Sequence, residues 1–126
     1  MNTETPLEGR RILVVEDDYF GAQALVGLLQ LLGATTVGPI GWIEEAIGFV
    51  DKEHASFDSA VIDVNLHGEK SYALADKLDA RGKYFVFATG YDADALDEEY
   101  RRYPRCEKPY GREALLAALL SSEAQN

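Results

Sequence analysis

Five times along this chain a short apolar run gives way to a segment whose apolar residues recur at helical spacing, and that alternation leaves few ways to fold it. Arg11 to Glu16, built on Ile12-Leu13-Val14-Val15, leads into Tyr19 to Leu32, where Phe20, Ala24, Leu25, Leu28, Leu29 and Leu32 keep a helical period until Gly33 stops it. Thr35 to Val37 predicts a second strand closed by Gly38-Pro39, and Trp42 to Val50 resumes the helical period through Ile43, Ala46, Ile47 and Val50. A third strand over Phe57 to Val64 precedes a helix over Ser71 to Ala80, and Tyr84 to Ala88 reads as the fourth strand. Asp94 to Arg102 predicts a weaker helix, because its charges outnumber its apolar residues. A very short strand at Arg105 to Glu107 then precedes a helix over Arg112 to Leu120, striped by Leu115, Leu116, Leu119 and Leu120.

Strands this apolar are buried on both faces, which calls for a parallel sheet covered on each side by its crossover helices. The expected architecture is a flavodoxin-like, doubly wound, five-stranded α/β sheet in the order 2-1-3-4-5. With 126 residues, 47% of them hydrophobic, the chain has material for one core and one domain. Residues 10–120 are expected to form it, with 1–9 and 121–126 as flexible polar tails. Trp42, Phe49 and Phe57 read as core, while Tyr100, Tyr103 and Tyr110 could cover a small core or line a partner surface.

Each strand also ends on a reactive residue type. The first apolar run enters Glu16-Asp17-Asp18, the third strand ends on Asp63, the fourth enters Thr89 and the fifth enters Lys108-Pro109. In the expected order strands 1 and 3 are neighbours where the winding reverses, the place where such sheets bind ligands. Carboxylates brought to about 4 Å repel by roughly 4 kcal/mol per pair at an effective dielectric of 20, so the cluster needs shared protons or a cation. Oxygen donors without a nearby histidine or cysteine favour Mg2+. An ammonium at Lys108 would hold a phosphoryl oxygen, and Asp63 on the central strand is the carboxylate placed to attack phosphorus. Taken singly, each residue has an ordinary structural use, and Asp18 is expected to cap the first helix. Their joint order is what points to a site.

The net charge of -10 and pI near 4.5 oppose binding to nucleic acid. Arg101, Arg102 and Arg105 are offset by Glu98, Glu99 and Glu107. One cysteine, Cys106, and two scattered histidines, His54 and His67, supply neither a disulfide nor a zinc site and suit a reducing cytoplasm. The greasiest stretch, Ala24 to Leu32, is broken by Gly27 and Gln30, and no membrane span is expected. The initiating Met1 and the polar ends favour a complete chain.

From about Arg10 to Leu120 the motif order resembles the receiver domain of bacterial two-component response regulators. That resemblance implies Asp17 as a direct Mg2+ ligand, Glu16 acting through water, Asp63 as ligand and phosphoacceptor, and the backbone carbonyl of Asn65 as a further ligand. It implies catalytic roles for Thr89 and Lys108 and a cis peptide between Lys108 and Pro109. The implied function is to take a phosphoryl group from a histidine kinase or histidine phosphotransfer protein onto Asp63, then act on an unidentified downstream protein or drain phosphate. Self-phosphorylation and autodephosphorylation would be its only catalysis, as a monomer or a phosphorylation-dependent dimer. Docking is implied at Phe20 to Ala24 and at the loop after Lys108.

Arg105 stands where most receivers carry a switch aromatic. Phe87-Ala88-Thr89-Gly90-Tyr91 instead resembles the motif of a stand-alone subgroup, which implies a switch made of Thr89, Gly90 and Tyr91 with the Tyr91 ring over the phosphoryl group. Two other classes share parts of the pattern. A haloacid-dehalogenase-type Mg-dependent phosphatase or phosphotransferase wants an Asp-x-Asp motif that Glu16-Asp17-Asp18 fits poorly, and a flavodoxin-like nucleotide carrier wants a phosphate loop after strand 1.

Overall fold

The computed structural model describes residues 4–90 and 96–124, with backbone alone from residue 122. Its strands and helices alternate as β1 (Arg11–Val15), α1 (Tyr19–Leu31), β2 (Thr35–Ile40), α2 (Ile43–Glu53), β3 (Ser59–Asp63), the short pair β4 (Asn65–Leu66) and β5 (Glu69–Lys70), α3 (Tyr72–Ala80), β6 (Tyr84–Thr89), β7 (Arg105–Glu107) and α4 (Arg112–Ala124). Five strands form one parallel sheet in the order β2-β1-β3-β6-β7, which is 2-1-3-4-5 once the hairpin β4–β5 is set aside.

Strand alternation divides the core into two layers. Leu13, Val15, Ala60, Ile62, Phe85 and Phe87 face α2 and α3, meeting Ile43, Ala46, Val50, Leu74 and Leu78. The intervening Ile12, Val14, Val61, Val86 and Ala88 face α1 and α4, meeting Leu25, Leu29, Leu115 and Leu119. The central runs Ile12–Val15, Ala60–Ile62 and Phe85–Ala88 are therefore apolar at successive positions, as a sheet covered on both sides requires. At one edge β2 has an irregular register opposite Leu13 to Val15 and includes Pro39; at the other, β7 has only 3 residues.

Several expectations need correction. Residues before Arg10 are not a free tail, because Leu7 is fully buried in the α1–α4 layer and its N–H donates to Leu32 O at 2.9 Å. The segment crosses Gly33 so closely that a Cβ there would meet Thr5 Cβ at 2.8 Å, and the φ of +101° at Gly33 suits glycine alone. Helix α4 runs on to Ala124, beyond the expected edge of the domain at 120. Strand β2 continues through Gly38 and Pro39, which an edge strand tolerates because one side of its ladder is unpaired. Trp42 is 58% exposed and lies outside the core. Asp94 and its neighbours from 91 to 95, including Tyr91, lie outside the described residues. The remainder of that expected helix is a single 3-10 turn, Glu98–Tyr100. Tyr100 is buried there, stacked on Tyr72 with ring centroids 4.0 Å apart.

Candidate functional site

Strand register decides which side chains meet. Val15 pairs with Ile62, so Glu16 and Asp63 lie one step further along adjacent strands, at the carboxyl edge of the sheet. Asp63 pairs in turn with Ala88, and Thr89 with Glu107, which brings the hydroxyl and Lys108 to the same edge. The backbone fixes these ends: Glu16 N–H donates to Ile40 O at 3.0 Å, and Lys108 N–H to Thr89 O at 2.7 Å. The peptide between Lys108 and Pro109 is cis.

The side chains converge. Carboxylate oxygens of Glu16, Asp17 and Asp63 all lie within 4.8 Å of one another. Lys108 Nζ donates to Glu16 Oε1 at 2.5 Å and to Asp63 Oδ2 at 3.0 Å. Glu16 is only 6% exposed, and burial, followed by its hydrogen bond with Asp63, pushes its pKa up to about 7 despite Lys108. Burial also opposes the Lys108 charge, but the two acids outweigh it and raise that pKa. Asp17 moves the other way. Burial opposes its charge, yet the His67 N–H and a hydrogen bond from Glu16 hold its pKa below the ordinary value.

Around this centre, Asp18 caps α1 as expected, accepting from Gly21 N–H at 2.7 Å. Thr89 is 3% exposed and donates to Cys106 O at 3.4 Å. Asn65 opens the hairpin after β3, and its N–H donates to Asp63 Oδ1 at 3.3 Å. Ser71 was not anticipated: fully buried, its hydroxyl donates to Asp63 O at 2.6 Å and anchors the far end of the hairpin. Only its place beside the start of α3 could have singled it out. His67 was also missed, because a lone histidine in a polar loop carries no signal of its backbone N–H reaching Asp17 Oδ2 at 2.8 Å.

Three acids, one ammonium and a neighbouring hydroxyl make a centre of hard oxygen donors with a net negative charge. Such a centre fits a small divalent cation and an incoming phosphoryl group better than a soft metal or an apolar ligand. No described helix is long and apolar enough to cross a membrane.

No family model and no curated protein matches the chain. Solved structures do. The chain is 37% identical to SdrG from Sphingomonas melonis Fr1 over 89% of its own length and 94% of that chain, with a TM-score of 0.80. Against the BeF3-activated conformation of SdrG from Pseudomonas melonis Fr1 it is 36% identical, covering 96% of this chain and 98% of that one, with a TM-score of 0.76. A response regulator receiver domain (CheY-like) from Methylobacillus flagellatus is 25% identical over 89% of this chain and 97% of that one, with a TM-score of 0.76. The similarity covers 89% of the chain or more in each case, and the chain belongs to the response regulator receiver-domain family.

Proposed function

We propose that the protein is a phosphoacceptor of a two-component phosphorelay, with Asp63 as the residue that is phosphorylated. The observation that carries this reading is the contact of Lys108 Nζ with Asp63 Oδ2 at 3.0 Å, beside two further carboxylates within 4.8 Å. Asp63 supplies an oxygen lone pair to phosphorus, forming a P–O bond while the P–N bond of a phosphohistidine breaks and the imidazole keeps that electron pair. Lys108 then holds a phosphoryl oxygen in place of one carboxylate oxygen. Thr89, on the neighbouring strand, offers its hydroxyl to another.

The donor set fits Mg2+, held by Asp17, Asp63 and the backbone carbonyl of Asn65, with Glu16 acting through water. When bound, the ion neutralises negative charge on the transferring group. The chain's own contribution is to crowd the acids until they need a cation, and to bring the lysine in from a separate strand.

The donor is a histidine kinase or a histidine phosphotransfer protein, in the cytoplasm, and the output is binding to a downstream protein or drainage of phosphate. Thr89, Gly90 and Tyr91 form the proposed switch, since Arg105 leaves no aromatic three positions before Lys108. Catalysis is confined to the protein's own phosphorylation and dephosphorylation.

The test is incubation with Mg2+ and a small phosphodonor, read by intact mass. The parent is expected to gain one alkali-labile phosphoryl group, and Asp63→Asn to gain none. Equal labelling of both proteins would refute the assignment of Asp63.

A further inference from the structure

We propose that the stacked rings of Trp42 and His67 form a positioning clasp for the cation site, holding the hairpin after Asp63 against Asp17 so that a divalent ion meets an aspartate already oriented. The inference rests on the Mg2+ reading above and assigns to it two residues with no place in the phosphoryl chemistry.

Trp42 stands at the N-cap of α2, yet its side chain makes no capping hydrogen bond. Large apolar residues are poor N-caps, and a tryptophan 58% exposed gains little from burial, so neither role accounts for it. What it does is stack. Its ring lies 3.6 Å, centroid to centroid, from the His67 imidazole, with 12° between the planes.

His67 sits at the turn of the β4–β5 hairpin with a φ of 50°, followed by Gly68 at 85°. A side chain at positive φ costs energy, although histidine bears it better than most residues, and such a conformation persists where its surroundings over-determine it. Two contacts do so here: the stack on Trp42 and the His67 N–H donated to Asp17 Oδ2 at 2.8 Å. The same short hairpin reaches the phosphoacceptor through the Asn65 N–H, 3.3 Å from Asp63 Oδ1, and is tied off by Ser71 on Asp63 O.

The loop carrying Trp42 lies against both partners. A Cβ at Gly41 would stand 3.5 Å from Asp17 Cα and 3.9 Å from His67 Nε2. Residues following β1, β2 and β3 are thus joined in one chain of contacts, from Trp42 through His67 to Asp17, and back through the hairpin to Asp63. Groups that orient a metal ligand without touching the metal commonly matter by 10- to 100-fold in affinity. His67 and Trp42 are positioning residues in this sense.

The test is a titration of the full chain with magnesium chloride, followed by Trp42 emission, since Trp42 is the single tryptophan, and by the amide resonances of Asp17 and His67. The parent is expected to show a saturable change in both signals. His67→Asn keeps the N–H and tolerates the positive φ but removes the ring, and Trp42→Ala removes the opposing ring. Each is expected to weaken Mg2+ binding about tenfold by the amide signals, with Trp42→Phe within about threefold of the parent. Urea midpoints confirm that each variant is folded. Binding by His67→Asn and Trp42→Ala within about twofold of the parent overturns the clasp and leaves the Mg2+ reading standing. A parent with no saturable response overturns the Mg2+ reading, and the clasp with it.

Discussion

Replacing Asp63 by asparagine should change the stability of the metal-free fold with a sign that depends on pH. Asp63 repels Glu16 and Asp17 and attracts Lys108. At an effective dielectric of 20, each repulsion taken at the 4.8 Å limit of separation is about 3.5 kcal/mol, and the attraction at 3.0 Å is about 5.5 kcal/mol. Near pH 8.5 both neighbours are ionised, so two repulsions exceed one attraction and Asp63→Asn is expected to stabilise the fold by about 1–2 kcal/mol.

Near pH 5.5 Glu16 is protonated, because its folded pKa is about 7 against an ordinary 4.5. One repulsion is then gone, and the same substitution is expected to destabilise by about 2 kcal/mol. Linkage gives the same sign. An acid whose folded pKa is raised contributes stability at low pH that is lost as pH climbs from its unfolded to its folded value, here from about 4.5 to about 7. Without the push from Asp63, Asp63→Asn loses less over that window. Urea unfolding in EDTA at the two pH values, followed by far-UV circular dichroism, measures both differences. An equal stability change at pH 5.5 and pH 8.5 would refute the charge-crowding argument.

Leu7→Ala should cost about 2–4 kcal/mol in urea unfolding, since it empties a fully buried leucine site; an unchanged midpoint would make residues 5–9 dispensable. Gly33→Ala should cost at least about 1 kcal/mol in the same assay, because it forces a side chain into positive φ and against Thr5. Tyr100→Phe removes hydroxyl contacts to Asp76 at 3.0 and 3.1 Å and should cost about 1–2 kcal/mol near neutral pH. Burial, then Asp76, pushes the Tyr100 pKa up to about 12, so its stabilisation is complete below pH 10 and lost as pH rises toward 12. Tyrosinate absorbance should show the variant missing one late-titrating phenol; loss of an early one would contradict this.

What could be read from the chain was whatever strand periodicity controls. The runs at Ile12 to Val15 and Ala60 to Ile62 required cover on both faces, which in turn required helices on both sides and placed Glu16, Asp17 and Asp63 at one edge. The convergence of Lys108 on the acids followed from strand order, which also put Thr89 at the same edge of the sheet. Residues whose roles depend on single tertiary contacts stayed hidden. Leu7 looks like one apolar residue in a polar stretch, and only its tertiary packing in the layer shared with α1 and α4 makes it core. Trp42 reads as core in the sequence, yet at the start of α2 its ring stacks on His67. The β4–β5 hairpin has only 2 residues per strand, too few for any periodicity to register.

The two borders of the sheet limit how copies of this protein can associate. Pro39 leaves β2 one amide hydrogen short, the register there is uneven, and β7 stops after 3 residues. Neither flank offers the long, regular row of unsatisfied amides and carbonyls on which a foreign strand could be templated. The same construction discourages fibrillar stacking and leaves side chains on helices and loops as the surfaces through which two copies could meet.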